Sequence, residues 1–120
     1  EKQVVAICGD GGFMYALPDI ATAVQEGINV VAIVFNDRAL GATLRDQQVR
    51  YDNRVIGTRI HNPDFAALAD SFGAMGIKLD NYTQLEAALP DALSANRPVV
   101  MEVPIESWTP PFQIKPLGAL

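Results

Sequence analysis

The chain has 120 residues, 9 of them Lys or Arg and 14 Asp or Glu, with a formal net charge of −5. That length suits one domain able to bury roughly two-thirds of its unfolded surface, and a 49% hydrophobic share argues against disorder. An acidic balance without a Lys/Arg cluster argues against a nucleic-acid partner, which needs a basic stripe, and the single cysteine, Cys8, excludes an internal disulfide framework and a Cys-rich zinc site.

Residues 4–8 form an apolar, mostly β-branched run ended by Gly9-Asp10-Gly11-Gly12, the pattern of a buried parallel strand entering a tight turn. From residue 15 to 26, Leu17, Ile20, Ala21 and Val24 recur at helical spacing, and Gly27 sits where a helix C-terminus favours a left-handed residue. Residues 30–35 are again all apolar and stop at Asn36-Asp37, whose side chains favour turns. This is the longest apolar run, far too short to cross a bilayer, and no basic segment with an apolar region opens the chain. A membrane partner is therefore not expected, and a cytoplasmic location is.

Residues 38–62 are polar and weakly periodic, and read as a loop with one or two helical turns around 40–49. Asn62-Pro63 reads as the N-cap and first position of a helix running to Phe72, before Gly73. A short strand over 76–79, a helix over 83–94 kinked or divided by Pro90, and a last strand over 99–103 follow. Strands alternating with helices predict an α/β domain, three-layer α/β/α with a mostly parallel sheet. Residues 1–106 are assigned to that domain and 107–120 to a proline-rich C-terminal tail. The strand pattern begins three residues after Glu1, so the chain reads as a fragment of a larger one, with the fold incomplete at its N-terminal side.

In an open parallel sheet, ligands sit beyond the carboxyl ends of the strands. Asp10 follows the first strand and Asp37 the second, so both carboxylates should share one edge, on strands about 4.8 Å apart. Like charges that close repel unless a cation lies between them, which points to a hard divalent ion. Gly9, Gly11 and Gly12 flank Asp10 before a helix and free backbone N–H groups to meet an anion. A dinucleotide fingerprint fails at Met14, and no Gly-Lys-Ser/Thr is present for a P-loop. The plain alternative is a tight turn at Gly9–Gly12 and a loop cap at Asp37.

Gly9-Asp10-Gly11, 24 intervening residues and Asn36-Asp37 resemble the Gly-Asp-Gly to Asn-Asn signature of thiamine-diphosphate-dependent enzymes. Ile7-Cys8-Gly9-Asp10-Gly11-Gly12-Phe13-Met14, Leu40-Gly41-Ala42-Thr43-Leu44, Gln47-Gln48, the stretch from Arg54 to Arg59 and Phe72-Gly73-Ala74 are similar to the acetolactate synthase, benzoylformate decarboxylase and benzaldehyde lyase group. The resemblance covers nearly all of residues 3–106. It implies thiamine diphosphate and Mg²⁺ as cofactors, with Asp10, Asp37 and the carbonyl of Ala39 as metal ligands, and Gly9, Asp10, Gly11, Gly12, Asn36, Leu40 and Gly41 around the cofactor. One departure is that Asp37 stands where the signature has its second Asn. The resemblance further implies a decarboxylase or carboligase acting on a 2-oxo acid or aldehyde, acetolactate synthase-like. The alternatives are a benzaldehyde lyase-like or benzoylformate decarboxylase-like enzyme, or a degenerate, non-catalytic domain.

In this family an activating glutamate comes from a pyrimidine-binding domain, normally of a neighbouring subunit in a homodimer or homotetramer. No residue here matches it, so no catalytic residue is assigned and the fragment alone is expected to be inactive. Glu26 and Glu102 read as structural, His61 as a solvated loop residue, and Arg45, Gln47 and Gln48 as a solvated face. Met14 and Tyr15 read as core, while Trp108 and Phe112 could cover a site or pack on a partner.

Overall fold

Two apolar runs, Val4–Gly9 (β1) and Val30–Asn36 (β2), pair in parallel with Val4 opposite Val30 and Gly9 opposite Phe35. Val99–Pro104 (β4) lies on the other side of β2, and Met75–Lys78 (β3) beyond it, so the sheet order is β1-β2-β4-β3 with every pairing parallel. These features come from a computed structural model that describes residues 2–106. The assigned tail, 107–120, lies outside the described residues.

Side chains alternate across the sheet, so the central strands β2 and β4 feed two cores, whereas β1, expected to be buried, is an edge strand with Val4, Val5 and Ile7 exposed and only Cys8 packed against a core. On one face Ala32, Val34 and Val100 meet Phe13, Leu17, Ile20, Phe65 and Ala69. Except for Leu17, which lies between the first two, these come from three helices, Asp10–Ala16 (α1), Asp19–Gln25 (α2) and Phe65–Phe72 (α4). On the other face Val31, Ile33, Val99, Met101 and Val103 meet Leu85, Ala88, Leu89 and Ala92 of Leu85–Ser94 (α5). The three-layer α/β/α expectation holds, and the sheet is wholly parallel.

Several local boundaries differ from the sequence reading. The single helix expected over 15–26 is two, α1 and α2, because Pro18 has no N–H to continue the first and instead occupies the N-cap of the second. Helix α1 starts at Asp10 itself, so the glycines are its first turn and not a tight turn before it. The loop expected over 38–62 contains a ten-residue helix, Gly41–Arg50 (α3), with Leu44 as its one buried residue. Pro90 sits inside α5 without dividing it; Glu86, whose carbonyl loses the Pro90 partner, is exposed and water can replace the bond.

The N-cap of α4 is Asp64, not Asn62. Its Oδ1 accepts from the Ala67 N–H at 2.9 Å, while Oδ2 meets Lys78 Nζ at 2.6 Å. At the other end Gly73 takes the left-handed conformation, φ 88°, that closes a helix. The hydrogen bond from Lys78 holds the Asp64 carboxyl below its ordinary 3.8. A carboxylate so lowered contributes stability above its unfolded value and loses it as pH falls through the folded one. Asp64→Ala is expected to cost about 1 kcal/mol at neutral pH, mainly for the lost cap. Urea denaturation of both proteins should show the difference closing as the solution is acidified below the ordinary carboxylate range.

Candidate functional site

Strands β1 and β2 end flush, with Gly9 opposite Phe35, so Asp10 and the Asn36-Asp37 pair emerge at one edge of the sheet. Asp10 is only 2% exposed. Its Oδ1 accepts from the Gly11 N–H at 2.8 Å and its Oδ2 from Asn62 Nδ2 at 2.5 Å. Asp37, half-buried, accepts at Oδ1 from the Ala39 N–H at 3.1 Å. Its Oδ2 lies over Gly41, where a Cβ would approach it to 2.8 Å, so the first residue of α3 must lack a side chain for the carboxylate to sit there. Burial, and after it the Asp10 charge, hold the Asp37 carboxyl above its ordinary 3.8, against backbone hydrogen bonds and the Arg45 cation, which pull it down. The two acidic corners therefore lie within electrostatic reach of one another.

Ala39 forms an isolated antiparallel bridge with Arg59, flanked by Leu40 N–H to Thr58 O at 2.8 Å and Ile60 N–H to Arg38 O at 3.0 Å. Those flanking bonds make Ala39 and Arg59 the non-hydrogen-bonded kind of pair, so the N–H and C=O of Ala39 point away from the 58–60 segment. The N–H already meets Asp37, which puts the carbonyl on the same side of the chain. Arg38 reaches this geometry through a left-handed φ of 57°, a conformation costly for a residue with a side chain and one found at functional turns. Gly11 is buried, with the Leu40 side chain over it, while Gly9 and Gly12 are open.

Behind Asp10 lies a second row of polar groups. Asn36 Nδ2 donates to Glu102 Oε1 at 2.9 Å, and the Phe65 N–H donates to Glu102 Oε2 at 2.9 Å. Asn36 Oδ1 accepts from the Arg38 N–H at 3.1 Å and from Asn62 Nδ2 at 2.9 Å. Asn62 thus belongs to the site and not to a helix cap. Glu102 joins it from the middle of an apolar strand, where a carboxylate needs fixed donors. That placement was the available signal in the sequence, although nothing local names its partners.

Other residues separate plainly. An open groove beside Asp10 is lined by Met14, Tyr15, Leu40, Ile60 and His61, among others. Met14 and Tyr15, expected in the core, are 42% and 88% exposed, since the helix that carries them begins at Asp10 and turns them outward. His61 is exposed, as expected, and so is Glu26. Gln47 is more than a solvated face: it donates to Ile56 O and accepts from the Ile56 N–H and Thr58 Oγ1, pinning the 56–58 segment to α3. Trp108 and Phe112 lie outside the described residues.

The donor chemistry at the edge is oxygen: two carboxylates and a backbone carbonyl. Among the described residues no three His, Cys, Asp or Glu side chains converge as a metal cluster. A pair of carboxylates with room left for ligand oxygens suits a hard divalent ion carrying phosphate better than a soft metal in a closed cage.

Comparison with known proteins supplies a family. Residues 1–103 match the family model described as thiamine pyrophosphate enzyme, C-terminal TPP binding domain. The acetolactate synthase large subunit of Haemophilus influenzae is 38% identical over 101 residues, 83% of this chain and 18% of that protein. The mitochondrial acetolactate synthase catalytic subunit of Saccharomyces cerevisiae is 32% identical over 110 residues, 92% of this chain and 16% of that protein. In structure, the benzoylformate decarboxylase of Polynucleobacter necessarius superposes with a TM-score of 0.80 at 29% identity, covering 97% of this chain and 21% of the other. The chain spans less than a fifth of the length of the curated relatives it matches.

Proposed function

Because the chain belongs to the thiamine pyrophosphate enzymes, as their C-terminal TPP binding domain, we propose that its acidic edge holds thiamine diphosphate through one Mg²⁺. Asp10, Asp37 and the Ala39 carbonyl are the protein ligands of that ion, Gly9, Gly11, Gly12, Leu40 and Gly41 surround the diphosphate, and Asn36 backs the site from behind Asp10. The observation that carries this reading is the pair of carboxylates just past two adjacent, flush strand ends, close enough for Asp10 to raise the Asp37 pKa. A divalent cation removes the repulsion that the pair otherwise sustains.

Thiamine diphosphate supplies an electron sink for a substrate carbonyl carbon. This chain contributes the grip. Its carboxylates neutralise the ion, Gly11 and Gly12 present backbone at the first turn of α1, and Gly41 keeps space for Asp37. The whole protein is then an acetolactate synthase-like decarboxylase or carboligase acting on 2-oxo acids. Residues 1–106 form the cofactor domain and 107–120 a tail; the activating glutamate comes from a pyrimidine-binding domain of a neighbouring subunit in a homodimer or homotetramer. A cytoplasmic location is part of this reading; among the described residues no helix is long and apolar enough to cross a membrane.

Titration calorimetry on the intact protein is expected to show thiamine diphosphate binding that needs Mg²⁺ and is lost with chelator. Absence of binding with both present would identify a degenerate domain instead. The structural likeness to a benzoylformate decarboxylase favours one second reading, an enzyme of aromatic 2-oxo acids or 2-hydroxy ketones. Turnover of pyruvate, benzoylformate and benzoin by the intact protein separates the two.

A further inference from the structure

The geometry points to Glu102 and Asn62 as positioning residues that act through the Asn36 amide to hold Asp10 in its metal-facing orientation, an assignment that rests on the site proposed above. Four side chains from four parts of the chain form one directed series. Glu102, 6% exposed, accepts from Asn36; Asn36, 8% exposed, accepts from Asn62; and Asn62 donates to Asp10.

The direction of the series is set by groups that cannot reverse. Glu102 faces two donors, Asn36 Nδ2 and the Phe65 N–H, and offers only acceptors as a carboxylate. The Arg38 N–H can only donate, and it meets the opposite end of the Asn36 amide. Together they fix which end of Asn36 is oxygen. That oxygen then requires a donor from Asn62, so the Asn62 NH₂ must face inward, and its other hydrogen falls on Asp10 Oδ2. With Oδ1 held by the Gly11 N–H, both Asp10 oxygens are oriented. The carboxylate cannot rotate away without leaving an amide hydrogen unpaired. Outer partners of this kind typically change metal affinity 10–100-fold when removed.

Glu102→Gln tests the directionality at nearly constant shape. The new NH₂ must face either the Phe65 N–H or the Asn36 NH₂, donor against donor. Inverting Asn36 to relieve the clash turns its NH₂ toward Asn62, and the error passes to Asp10. Asn62→Ala removes the last link on a half-buried segment and spares the sheet. The measurement is Mn²⁺ affinity of the intact protein with thiamine diphosphate present, by calorimetry and by the Mn²⁺ paramagnetic resonance spectrum, for both variants and the double variant.

Each single change is expected to weaken Mn²⁺ binding roughly 10–100-fold. Once Asn62 is Ala, Glu102→Gln should add little, because the path to Asp10 is already cut. Unchanged affinity in Asn62→Ala, or losses that multiply in the double variant, would overturn the positioning role. The site itself is tested separately by Asp10→Ala. If that variant abolishes Mn²⁺-dependent binding while Asn62→Ala does not alter it, only the positioning role fails; if Asp10→Ala binds as wild type does, the metal site fails first.

Discussion

Asp10→Ala should abolish Mg²⁺-dependent binding of thiamine diphosphate, weakening it by more than roughly a hundred-fold, since a direct ligand must matter more than the outer partners that already count for 10–100-fold. The same change should leave the apo protein folded. Asp10 is buried and gives up two accepted hydrogen bonds, from Gly11 and Asn62, but its removal also lifts a buried charge and its repulsion on Asp37. Asp37 provides a second readout. A carboxylate whose folded pKa is raised contributes its stability below the unfolded value of 3.8 and loses it as pH rises through the folded value. Taking away Asp10 removes the second cause of that rise, leaving burial, so the apo variant should lose less stability than wild type between pH 4 and neutrality. Calorimetry and apo melting curves measured across that range check both parts. Cofactor retention equal to wild type would refute the metal assignment.

Phe65→Ala should be among the most damaging single changes to the fold. Phe65 has no exposed surface, and its ring meets Phe13 edge to face, with centroids 5.5 Å apart and planes at 79°. It pins α4 to α1 over the β2–β4 part of the sheet. Phe→Ala in such a core costs about 3–5 kcal/mol. Amide exchange in β2 and β4 of the intact protein should accelerate by roughly two to four orders of magnitude. The Phe65 N–H bond to Glu102 belongs to the backbone and survives the substitution, so any cofactor-binding defect should track loss of folded protein. A variant that keeps wild-type exchange would mean that the α1–α4 seam contributes little.

The legible parts of this chain are those where the nearest neighbours in sequence decide the outcome. Apolar β-branched runs at 4–8, 30–35 and 99–103 declared parallel strands, each within a residue of its observed end, although only the second and third are buried, the first lying at the sheet edge with Val4, Val5 and Ile7 exposed. The acidic corners were readable for the same reason: Asp10 and Asp37 follow directly from where those strands stop. Helix α1 was hidden because two glycines in its first turn look like a turn. Helix α3 was hidden because it buries one residue, Leu44, and so carries almost no apolar stripe. Asn62 misled because Asn-Pro is a sound helix start, while its actual partners lie 52 and 26 positions away. Glu102 reaches Asn36 across 66 positions, a pairing only the register of β2 and β4 creates.

The order β1-β2-β4-β3 places β4, the last of the described strands to be made, between β2 and β3. During synthesis the ribosome must release residues up to about 104 before any strand can hydrogen-bond β2 to β3 across the sheet. Asn36 waits through that interval without Glu102. The grip on the cofactor is therefore finished late, and a nascent chain halted before Val99 would carry both acidic corners yet lack the strand that sets them.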